Sequence, residues 1–124
     1  MSTEADFDQL FAGGVVTLDG YQGEASRTLQ NATEKRVVFL ALGIAGEAGE
    51  VADLFKKHVG HGHPLDVDKL RLELGDVLWY VAAIATMHGL SLSEVAEANL
   101  KKLEARYPNG FSTEASIARK DVQK

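Results

Sequence analysis

Cysteine is missing from this chain of 124 residues, which excludes a disulfide framework and any thiolate metal site. Proline occurs only twice, as Pro64 and Pro108, each within two residues of a glycine, so long stretches carry no helix breaker. Aromatic residues make up 7% of the sequence, with a single tryptophan, and the core must therefore be built mainly from aliphatic side chains. No apolar run is long enough to cross a bilayer, and the acidic, polar segment 1–8 lacks the basic start and apolar centre of a secretory signal. These absences set the expectation of a cytoplasmic protein with no membrane partner. Basic residues are also in short supply. Thirteen Lys and Arg against eighteen Asp and Glu give a formal charge of −5, which argues against a nucleic-acid surface.

What remains is a composition with 45% apolar and 25% charged residues, ordinary for one compact domain. Its periodicity is helical, and no strand-like alternation of useful length competes. The expected arrangement is an all-α bundle of four main helices, with a partly ordered N-terminal arm over 1–20, a helical domain over 21–111 and a polar tail, loose or weakly helical, over 112–124. A first helix is expected over 21–29, followed by a break in which Asn31 or Thr33 caps the next. The second helix runs over about 34–58 and ends at Gly60-His61-Gly62-His63-Pro64. Asp66 caps the third, which continues to about His88 and stops at Gly89. Ser91 and Glu94 have capping-box spacing and open the fourth, which closes near Tyr107 before Pro108-Asn109-Gly110.

Four carboxylates stand out against this frame. Glu47 and Glu50 lie three residues apart in the second helix, and Glu73 and Asp76 three apart in the third, so each pair projects from one side of its helix. At about 100° per residue, Glu47 falls on the apolar stripe that contains Leu40, Val51 and Leu54. A carboxylate placed there must be paired, metal-bound or protonated. Oxygen ligands in a chain without thiols favour a hard divalent cation, magnesium first and manganese as its substitute. In the third helix Leu70, Leu74, Val77, Val81 and Ile84 form one apolar stripe, while Leu72, Trp79 and Ala83 form another on the far side. Two such faces on one helix predict a homo-oligomer, a dimer or a tetramer built from dimers.

The segments Gly46-Glu47-Ala48-Gly49-Glu50-Val51, Glu73-Leu74-Gly75-Asp76-Val77-Leu78 and 99–106 resemble the MazG-like all-α nucleoside triphosphate pyrophosphohydrolases, a group related to dimeric dUTPases and phosphoribosyl-ATP pyrophosphatases. The resemblance covers about 21–111. It implies magnesium-dependent cleavage between the α- and β-phosphates of a nucleotide, yielding a nucleoside monophosphate and pyrophosphate. It implies a catalytic and metal-holding role for Glu47, Glu50, Glu73 and Asp76; which of them acts as general base is left open, with Glu50, on the flank of the apolar stripe, the first choice. Expected substrate contacts are Lys69, Tyr80, Asn99, Lys102, Arg106 and, from the first helix, Gln22. Narrower alternatives are a pyrophosphatase for dUTP, dCTP, an oxidised nucleotide or phosphoribosyl-ATP. The alternative of another class is a non-catalytic helical interaction module holding a structural ion. His58, His61 and His63 read as an exposed turn, and His88 as a partner of a helix C-terminus.

Overall fold

The computed structural model describes residues 16–29 and 34–122, and among them the chain is α-helical with no strand. Helix α1, Leu18–Ala25, starts three residues earlier than expected because Thr17 caps it, its hydroxyl accepting from the Gly20 amide at 3.0 Å. One 3-10 turn, Ser26–Thr28, ends it. The expected caps Asn31 and Thr33 lie outside the described residues, as does most of the arm. Helix α2 spans Glu34–Phe55 and widens into a π turn, Lys56–Gly60, in place of the α-helical end expected at His58. Gly62 then takes a positive φ of 71°, which favours glycine, and Pro64 follows.

Helix α3, Val67–Met87, has the expected cap, Asp66 accepting from the Lys69 amide at 3.0 Å. It ends at His88, whose ring Nδ1 lies 2.7 Å from the Ile84 carbonyl oxygen. Helix α4, Leu92–Arg106, carries both halves of the capping box between Ser91 and Glu94. Part of the polar tail is regular: Ser112 caps a short helix α5, Thr113–Ala118, and a 3-10 turn follows over Lys120–Val122.

Helices α2 and α3 form the main packed pair, and the connection between them makes this pair an antiparallel hairpin. The buried core is small, comprising Leu40 at 2% exposure with Ala82, Ala83, Ala85 and Leu92. Alanines there let helices approach closely, and Tyr21 and Ala25 of α1 pack onto them. Polar bonds from distant segments fix α1. Gln22 Nε2 donates to Thr86 Oγ1 at 3.0 Å and to the Leu90 carbonyl at 2.8 Å, while its Oε1 accepts from the Leu92 amide at 2.8 Å. The Ser93 amide donates to Asp19 at 3.0 Å, and Trp79 Nε1 donates to Thr28 Oγ1 at 2.8 Å. Elsewhere large apolar side chains face outward: Phe39 is 62% exposed, Leu42 66% and Leu72 71%.

Candidate active site

Glu47 of α2 faces Glu73 and Asp76 of α3 across the hairpin. One carboxylate oxygen from each lies within 4.8 Å of the other two. Glu47 and Glu73 are half-buried and Asp76 is exposed. Burial pushes the Glu47 carboxyl up from the usual carboxylate range, and the charges of Asp76, Glu73 and Glu50 push it in the same direction. Among the described residues, no Lys, Arg or His makes an ion pair with any of the three. The fourth expected acid, Glu50, is exposed and stands outside this triad, although its charge is felt at both Glu47 and Lys57.

One turn further along α2 the electrostatics reverse. Asp53 accepts from Lys57 Nζ at 2.8 Å, and that bond holds its carboxyl below the usual range, helped by the charges of Lys57, Lys56 and Lys69. Lys57 is raised in turn by the same bond. Lys69 thus contributes its charge around Asp53, near the end of the hairpin. On the other side, burial raises the Tyr21 hydroxyl, with a second contribution from the Asp76 charge.

A sequence profile described as the MazG nucleotide pyrophosphohydrolase domain matches residues 38–111. The chain belongs to this MazG family. It is similar to the gene 37 protein of Mycobacterium phage L5, with 40% identity over 76 residues that make up 58% of this chain and 67% of that protein. No solved structure gives a significant match.

The MazG match includes all four expected acids, and the donor set suits a divalent cation. Three hard oxygen donors, with no cationic side chain paired to them among the described residues, suit a hard divalent cation. Glu47, Glu73 and Asp76 are the residues that would hold such an ion.

The remaining expected residues fall into two groups. Asn99 and Lys102 are exposed on α4, and Lys69 is exposed on α3. Gln22, Tyr80 and Arg106 have structural partners instead. Gln22 spends its amide on the bonds to Thr86, Leu90 and Leu92. The Tyr80 ring lies against the α2 backbone at Gly43 and meets Trp79 edge-on, with centroids 5.0 Å apart and planes at 86°. Arg106 Nε and Nη2 donate to the two Asp121 oxygens at 2.8 and 2.7 Å, forming a bidentate pair with the tail. His58, His61 and His63 are exposed, and among the described residues no three-residue metal cluster includes them.

Sequence reasoning missed Asp53 with its lysines, although Asp53 continues the Glu47 and Glu50 spacing by three more residues and Lys57 stands four beyond it. It also passed over Tyr21, whose hydroxyl feels the Asp76 charge.

Proposed function

We propose that this MazG-family chain is a magnesium-dependent nucleoside triphosphate pyrophosphohydrolase. It cleaves a (d)NTP between the α- and β-phosphates and releases a nucleoside monophosphate and pyrophosphate. The observation that carries this reading is the convergence of Glu47, Glu73 and Asp76 within 4.8 Å with, among the described residues, no cationic side chain paired to them. Like charges at this spacing disfavour the apo state, and a polyphosphate approaches them only with divalent cations in between.

When bound, magnesium or manganese would neutralise phosphate charge and polarise the phosphoryl group. The chain's own groups do the rest. Glu47, Glu73 and Asp76 hold the cation-binding oxygens on two packed helices, which keeps their positions fixed. Glu50 Oε, exposed and outside the triad, takes a proton from the attacking water. Lys69, Asn99 and Lys102 offer exposed donors to phosphate oxygens. Gln22, Tyr80 and Arg106 support the frame through the partners described above.

The outward apolar side chains Phe39, Leu42 and Leu72 support a homodimer, or a tetramer built from dimers. An enzyme of this reaction would work in the cytoplasm, beside the free nucleotide pool. The test is a pyrophosphate-release screen over canonical and modified nucleotides, with and without magnesium. Release that requires magnesium and disappears in Glu47→Gln and Asp76→Asn, with helical content unchanged, supports the reading. A chain that releases no pyrophosphate from any nucleotide, but loses helicity or assembly on chelation, is a structural-ion module instead.

A further inference from the structure

We propose that Gly43 and Tyr80 form a seat that sets the spacing of α2 and α3 at the acid triad and thereby its affinity for a divalent cation, an inference that rests on the reading of the triad above. Four glycines lie inside these two helices, and three have open space around them. A β-carbon at Gly46, Gly49 or Gly75 would meet nothing within 4 Å. At Gly43 it would stand 2.8 Å from the Tyr80 hydroxyl and closer still to the ring edge. The Tyr80 ring therefore occupies the place of a side chain at position 43, and only glycine admits it.

The seat lies one turn from the acids on both helices. Glu47 follows Gly43 by four residues and Asp76 precedes Tyr80 by four, so in an antiparallel hairpin the two pairs are successive rungs, about 6 Å apart along the axis. The ring has little freedom to yield. Trp79 stands edge-on to it, and the Trp79 indole nitrogen is itself bonded to Thr28. A methyl group at position 43 must push α2 away from α3 or tip the ring out, because packed interiors transmit such displacements. Either movement shifts Glu47 relative to Glu73 and Asp76. A hard cation with short, near-octahedral bonds is sensitive to that shift. Tyr80 is in this sense a positioning residue, acting through the acids.

The experiment is titration of the nucleotide-free protein with Mn2+, followed by the electron paramagnetic resonance of free Mn2+, with circular dichroism to establish folding. Gly43→Ala and Tyr80→Ala should each weaken Mn2+ binding about tenfold or more, the scale of losing a group that orients metal ligands. Gly46→Ala, which adds the same methyl to open space, should match wild type. Tyr80→Phe, which keeps the ring, should do the same. The double variant Gly43→Ala/Tyr80→Ala should bind no worse than the weaker single variant, since the methyl then has no ring to strike. A folded Gly43→Ala protein with wild-type affinity overturns the proposal. So do losses that add in the double variant, or a Tyr80→Phe loss equal to that of Tyr80→Ala. If Gly43→Ala does not fold, wild-type affinity in Tyr80→Ala overturns it alone. A wild-type chain that binds Mn2+ normally but releases no pyrophosphate sinks the enzymatic reading and leaves the seat standing. One that binds no Mn2+ removes both.

Discussion

Two groups of acids in this molecule have opposite fates. Asp121 in the C-terminal turn is enclosed by Arg106 and Arg119, and Asp53 is held by Lys57. Their pKa values fall because each accepts hydrogen bonds from a cation of the chain. Glu47, Glu73 and Asp76 each bring an oxygen within 4.8 Å of the other two, yet among the described residues they have no such partner, and the Glu47 carboxyl is driven up. The chain has basic residues within reach of Asp53, on the same hairpin, but does not direct them at the triad. Acids that serve the fold are neutralised from within, whereas among the described residues no cation of the chain neutralises the triad.

The contrast is broken most severely at the triad. Glu47→Gln or Asp76→Asn should lower pyrophosphate release by about 10²–10³-fold, the scale of removing one preorganised electrostatic contact. Circular dichroism should show the helices intact, because the substitution relieves repulsion. A large loss of helix in either variant would mean that these acids are structural after all.

A cation should sharpen the difference thermodynamically. Magnesium at 100 times its dissociation constant stabilises a one-site protein by about 2.7 kcal/mol. Differential scanning calorimetry should find that gain in wild type and in Asp121→Asn, and find it reduced or absent in Glu47→Gln. An equal gain in all three would place the binding elsewhere.

Asp121→Asn should lower the melting temperature while leaving pyrophosphate release per folded molecule near wild type. Its pH dependence has a definite sign. A carboxyl depressed in the folded state contributes stability that is complete above its unfolded pKa and is lost as pH falls through the folded value. The gap in melting temperature between wild type and Asp121→Asn should therefore be full at neutral pH and close in acid, below the ordinary carboxylate range. A gap that widens in acid contradicts the assignment. The smallest effect is a reference touching neither acid group. Ser91→Ala should cost about 1 kcal/mol by denaturant unfolding, as for a lost N-cap, with the magnesium response unchanged.

The features legible in the sequence are the local ones. Asp66 and the Ser91–Glu94 box mark helix starts through partners three residues away, and the acid pairs mark one face through helical spacing. Glu47 on the Leu40 stripe was readable for the same reason, and in the structure Glu47 is half-buried and Leu40, two turns before it, is buried. What was not legible depends on distant partners. Gln22 looked available for a nucleotide base because its bonds reach Thr86, Leu90 and Leu92, which no local pattern announces. Arg106 looked available for phosphate because Asp121 sits in a tail that reads as merely polar. Glu50 shares the spacing of the other acids, but which three converge is set by how α2 and α3 are registered, and the Gly43–Tyr80 contact belongs to that same register.

The Gln22 carboxamide leaves a spectroscopic handle. It accepts from the Leu92 amide in the first turn of α4, so that hydrogen is shielded only while a helix seventy positions upstream is docked. The deuterium uptake of this single site thus reports the seating of α1 from a helix distant in sequence, without a label on α1 itself.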